Sequence, residues 1–328
     1  MEEEKNSLGE KETEYYDEFE EYAPLPWVEK NGFAHWAVAF AWLVVGLIAF
    51  QLLASIIAVI LILPTLTSDF SDRDAVMAAF EQNINLTLVA NSIGQFFVIG
   101  LASYMLTNLH AIRGRRHQFL RLQITPKLLR ITGVSVLLLV SSWGVVSLLG
   151  WLNYNIFEWL ISVFPSLSFF KDLQTQMAEM ITGFIKTENS MWLGLVYIAL
   201  VPAIFEEIMF RGYIMRALEK SWGIWVAIIV SGIMFGGYHI QPSNFLPLSF
   251  LGILFAYVTY VSQSLYPAML LHFINNGSQV VYGSMNPEFL ENIEPNDVGM
   301  PWFLITMSVI ITSGLLYLLY KMKTEAEV

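Results

Sequence analysis

Two adjacent carboxylates, Glu206 and Glu207, sit near the end of an apolar run that begins at Met191, and Arg211 follows one turn later. An ionised side chain at bilayer depth costs roughly 2.5–3.5 kcal/mol on insertion scales, so acids in such runs are rare and usually functional. Glu207 and Arg211 are spaced i, i+4 with the acid first, the favourable order for a pair on one helical face. Glu206 lies about 100° around the helix and points elsewhere. One carboxylate is therefore expected to be neutralised structurally by Arg211 while the other stays free to react. Two of the five histidines, His239 and His272, lie within or at the ends of apolar runs. His272 and Asn276 share an i, i+4 face, and so do Phe235 and His239. Gly236 and Gly237 would admit another backbone or a substrate.

Together these residues can hydrolyse an amide. An apolar cavity raises a carboxylate toward neutrality, which suits a general base. A histidine nearby can orient water or take a proton, and a second histidine with an asparagine can donate hydrogen bonds to a developing oxyanion. No serine or threonine stands beside either histidine in a recognisable nucleophile motif, and the chain has no cysteine. Water is the most economical nucleophile.

The elements that must position these side chains are membrane helices. Of 328 residues, 55% are hydrophobic and 14% charged, against about 25% charged in an average soluble domain. Several uninterrupted apolar stretches of about 20 residues imply an all-α, polytopic membrane bundle, with no alternating pattern of the kind a barrel needs. Eight spans are expected: Trp36 to about Leu63, Ile84 to Leu106, Ile131 to Leu152, Met191 to about Lys220, Trp222 to His239, Leu248 to Ser262, Pro267 to Tyr282 and Trp302 to Tyr320. Asn and Gln residues on the second read as interhelical hydrogen-bonders. Residues 153–190 read as an amphipathic, interfacial stretch. The basic connection with Arg113, Arg115, Arg116, Arg121, Lys127 and Arg130 is expected on the cytoplasmic side, which puts both termini there. Residues 1–30 hold eleven acids against three lysines, a net of −8 that leaves −3 for the remaining 298. They read as an acidic disordered tail, and 31–323 as one transmembrane domain. Nucleic acid is not an expected partner. The acidic start, Met1 to Lys5, lacks the basic region of a cleaved signal peptide.

Glu206-Glu207 with Arg211, then Phe235 with His239, then His272 with Asn276, each on an apolar helix and in this order over about 190–285, resemble the CPBP family (CAAX prenyl endopeptidases and bacteriocin-processing enzymes, also called the Abi family). The resemblance implies an intramembrane endopeptidase acting on a membrane-embedded or lipidated peptide, CAAX-type or bacteriocin-like, in a prokaryotic cell membrane. Glu206 would correspond to the catalytic glutamate and His239 to its partner in activating water. His272 and Asn276 would stabilise the oxyanion, while Glu207, Arg211 and Phe235 support the site. Two readings of the cofactor stay open. Glu206, His239 and His272 would make a two-histidine, one-glutamate zinc set with an open position, but the HExxH helix is absent. The metal-free reading, which requires no cofactor, is preferred. The same polar residues would also serve a transporter or proton relay, for which no internal repeat is found, or a non-catalytic scaffold or immunity protein of the same fold. At about 1.5 Å per residue from the cytoplasmic helix ends, Glu206 comes out about 21 Å deep, His239 about 26 Å and His272 about 10 Å. On straight helices the site does not close.

Overall fold

A computed structural model of the chain describes residues 25–65, 73–287 and 298–324. Most of the acidic tail and parts of the two acidic loops lie outside them. The described residues are helical, with no strand among them. In chain order the helices are α1 (Trp27–Lys30), α2 (His35–Ile62), α3 (Arg73–Gln82), α4 (Ile84–Leu109), α5 (Arg116–Phe119), α6 (Leu128–Val163), α7 (Ser168–Ile185), α8 (Ser190–Trp222), α9 (Ile224–Tyr238), α10 (Phe245–Ser262), α11 (Tyr266–Met285) and α12 (Trp302–Thr324).

All eight expected spans are helices, but six are long and apolar enough to cross a membrane: α2, α4, α6, α8, α10 and α12. The count of eight is therefore approximate. Helix α9 has 15 residues, about 22 Å of rise where a span needs roughly 20 residues. Helix α11 is long enough at 20 residues, but His272, Asn275, Asn276, Ser278 and Gln279 make it too polar. Both pack against α8 and α10 on one side, while Trp225, Ile229 and Ile233 of α9 stay exposed. Helix α6 runs 36 residues, to Val163, well past the expected end at Leu152. Asn153, just past the expected end, is used internally: it is buried, donates to the Pro242 carbonyl at 2.7 Å and accepts from the Leu246 amide at 2.7 Å. The amphipathic stretch is thus shorter, and α7 forms it.

Helix α8 is the centre of the bundle and packs against α2, α4, α9 and α11. Met209, Phe210, Tyr213 and Ile214 on α8 are fully buried in a core shared with α4 and α9. A second core joins α6, α10, α11 and α12 around Leu138, Leu139, Phe255 and Leu271. Helices α9 and α10 cross very closely. A methyl group on Gly252 would lie 2.7 Å from the Gly232 carbonyl oxygen, so only glycine fits at that contact. On the outside of α2, Val44, Val45, Ile48, Leu52, Ile56 and Ile60 are exposed, an apolar face suited to lipid tails.

The basic connection is folded onto the end of α8. Arg121 is 3% exposed and donates to both carboxylate oxygens of Glu219, at 3.2 and 3.3 Å. Its carbonyl accepts the Leu265 amide at 3.0 Å. Helix α11 begins against this connection, with Leu265 and Ala268 fully buried. His272 Nε2 nonetheless stands 4.0 Å from Glu206 Oε2, so the depths counted along straight helices do not hold these two residues apart.

Candidate active site

Three segments of the central helices are π-helical: Gln95–Ala102 in α4, and Leu195–Leu200 and Ile208–Ile214 in α8. Such wide turns recur at functional sites, and here they flank Glu206 and Glu207. Glu207 is fully buried, and its Oε1 accepts two hydrogen bonds, from Arg211 Nη1 at 2.8 Å and from His272 Nδ1 at 2.8 Å. Arg211 is 1% exposed. Its Nη2 donates to the Gly252 carbonyl at 3.1 Å, so the tight α9–α10 crossing delivers the oxygen that completes its coordination. The guanidinium also stacks over the Phe235 ring, 4.4 Å from the centroid. The Glu207–Arg211 pair stands where the i, i+4 spacing places it. Its second role, fixing His272, was not legible because His272 comes from α11.

His272 is nearly buried, and with Nδ1–H given to Glu207 its Nε2 is the atom left over. That nitrogen lies 4.0 Å from Glu206 Oε2. Glu206 is 12% exposed, and its Oε2 has no hydrogen-bond partner within the described residues. Phe235 sits between the histidines. Its ring contacts those of His239 at 4.8 Å and His272 at 5.8 Å, edge-on, and its carbonyl accepts His239 Nδ1–H at 2.8 Å. The His239 Nε2 is thereby left free.

Asn276 is held at both ends of its amide. Its Oδ1 accepts Asn275 Nδ2 at 3.1 Å, and its Nδ2 donates one hydrogen to the Ile198 carbonyl at 3.1 Å. Pro202, four residues after Ile198, has no N–H for the usual helical bond to that carbonyl. The side chain of Asn276 supplies a donor instead and keeps one amide hydrogen unused.

Glu206, His239 and Asn276 line one cavity of about 570 Å3, bounded by α2, α3, α4, α7 and α8. His272 stands behind Glu206 and is not among the lining residues. Of the two glycines after Phe235, Gly236 is used for close approach to α10, where a methyl would meet the Phe245 carbonyl oxygen at 2.9 Å, and Gly237 is open. Three polar residues on α4, Thr87, Asn91 and Gln95, line the cavity together with Tyr197 of α8, while Ser103 accepts the Trp42 indole N–H between helices at 2.8 Å. The signal for them was present, since residues 87, 91 and 95 are spaced by four. Among the described residues no group of three or more His, Asp or Glu is arranged to hold a metal ion. Glu207 orients His272 through Nδ1, an arrangement that serves a metal-bound imidazole as well as a proton-transferring one.

Residues 188–278, which contain all three motifs, match the family model described as Rce1-like, type II CAAX prenyl endopeptidase Rce1-like. No match was found among curated proteins or among solved structures. Over residues 188–278 the chain is thus similar to the Rce1-like type II CAAX prenyl endopeptidases, consistent with an intramembrane protease of the CPBP family.

Proposed function

We propose that this multi-pass membrane protein is an endopeptidase in which Glu206 activates water against a peptide bond of a membrane-associated substrate. The observation that carries this reading is the convergence of Glu206, His239 and Asn276, from three helix regions, on one cavity. Glu206 takes a proton from a water molecule held between it and the free Nε2 of His239. The hydroxide oxygen bonds to the scissile carbonyl carbon, and the carbonyl oxygen becomes an oxyanion. The unused amide hydrogen of Asn276 is a fixed donor for it, the kind of contact whose loss costs about 10²–10³ in rate. The proton on Glu206 then goes to the amide nitrogen as the C–N bond breaks. His272, oriented by Glu207, offers its Nε2 to Glu206 and can hold the proton between these steps. We assign no step to a metal ion.

CAAX-type peptides are the first substrate class to test, as the family description indicates, with bacteriocin-like peptides next. The basic connection is placed on the cytoplasmic side of a prokaryotic cell membrane, with both termini on that side. The test is a comparison of membrane peptides from cells carrying wild-type protein or Glu206→Gln at equal abundance. The reading expects a defined set of peptides to persist uncleaved only in the variant. Identical peptide profiles would refute it.

A further inference from the structure

We propose that Thr87, Asn91 and Gln95 of α4 form a strip that reads the main chain of an extended peptide opposite Glu206. The proposal rests on the endopeptidase reading and names the substrate's conformation and recognition. The strip lies outside residues 188–278, the stretch that the Rce1-like family model matches.

Three observations converge. All three side chains line the cavity that contains Glu206. Gln95 is 7% exposed, yet its Oε1 is buried without a hydrogen-bond partner, and so is Thr87 Oγ1. Buried polar atoms in folded proteins are nearly all satisfied, so Thr87 and Gln95 carry, beside the cavity, hydrogen-bonding capacity that no described residue uses. The spacing identifies what fits it. Four residues of helix rise about 6 Å, and two residues of an extended chain rise about 6.6–6.8 Å. In an extended chain every second residue presents its N–H and C=O to the same edge, so the strip and one edge of the peptide run nearly in step. Hydroxyl and amide groups both donate and accept, which suits alternating amide N–H and C=O and carries no preference for charge.

The rest of the cavity favours apolar side chains on the bound peptide. Ala54, Ala58, Leu88, Met177, Met180 and Ile181 line it, and methionines adapt to varied shapes. The substrate class is an extended, uncharged peptide segment with apolar side chains, recognised along its backbone as an added strand is in other peptide complexes. The π-helical turn that begins at Gln95 packs on Phe205, next to Glu206, through Phe96 and Gly100.

The test uses full-length Glu206→Gln protein in lipid nanodiscs, so that binding is measured without turnover. The probe is a fluorescent hexapeptide of leucine and valine, together with two versions N-methylated at alternate amides, one for each edge. The strip predicts that methylating one edge weakens binding by about tenfold or more and the other edge by much less. In Thr87→Val/Asn91→Leu/Gln95→Met the unmodified peptide binds about tenfold or more weakly, and the difference between edges disappears. The same triple variant keeps or gains thermal stability, because it removes unpaired polar groups. A purely structural, interhelical role predicts the opposite, a loss of stability. Unchanged affinity and edge preference in the triple variant, or no measurable binding of the hexapeptide to the parent protein, would overturn the proposal. A strip that behaves as expected in a wild-type protein that cleaves nothing would instead defeat the endopeptidase reading.

Discussion

One carboxylate oxygen of Glu207 holds the guanidinium of Arg211 and the imidazole of His272 at the same time. Removing a single partner from a buried pair leaves an uncompensated charge, which costs about 3–5 kcal/mol. Glu207→Leu is expected to show that loss in thermal unfolding in detergent. Glu207→Leu/Arg211→Met should recover most of the stability and none of the activity, since His272 still lacks its anchor. Chelation separates the metal readings: cleavage by protein washed with a strong zinc chelator should proceed at the untreated rate, and a loss restored by zinc would reinstate the metal. At this scale the roles of Glu207 and Arg211 were legible because both lie on one helix. The placement of His272 behind Glu206 was not, because spacing within a helix says nothing about which face a second helix presents.

At the scale of elements, the site depends on where regular helix geometry is broken. Pro202 withholds the helical donor from the Ile198 carbonyl, and Asn276 fills the position. Pro202→Ala returns a backbone donor there and releases the Asn276 amide from its fixed direction. Turnover number is expected to fall about tenfold, as for a small misplacement of a reacting group, with KM little changed and stability equal or higher. Steady-state kinetics beside a melting curve checks both. The boundaries of most helices followed from apolar runs, and the start of α11 beside Pro267 followed from proline's place in a first turn. What composition hid was the continuation of α6 beyond Leu152. Asn153 looks like a span end in sequence, whereas it is buried against the start of α10.

At the scale of the whole molecule, a second polar chain ties the first helices to α8 at the basic end. Lys220 Nζ donates to Glu29 Oε1 at 2.9 Å, and the Lys220 hydrogen bond holds the Glu29 carboxyl below its usual range. Glu29 in turn meets His35 Nε2 at 3.0 Å, His35 Nδ1 meets His110 Nδ1 at 2.7 Å, and His110 Nε2 meets the Tyr213 hydroxyl at 2.9 Å. Burial, reinforced by the charges of His35 and Lys220, lowers His110 from 6.5 to about 3. The unfolded chain therefore binds a proton that the folded one refuses between these values. The contribution is complete above about pH 6.5 and is lost as pH falls toward 3, by up to about 2–3 kcal/mol at pH 4.5. Unfolding midpoints of wild type should drop over that interval, and His110→Asn should flatten the slope. None of this chain was visible in the sequence, where His35 and His110 lie 75 positions apart.

The central claim is that a carboxylate facing the cavity, Glu206, activates water to cleave a membrane peptide. Its most direct test is single-turnover cleavage of a lipidated CAAX-type peptide in proteoliposomes, with wild-type and Glu206→Gln proteins of matched thermal stability. The account predicts cleavage by the wild type and a loss of at least about 10²-fold in the variant. Cleavage by Glu206→Gln at the wild-type rate would contradict it.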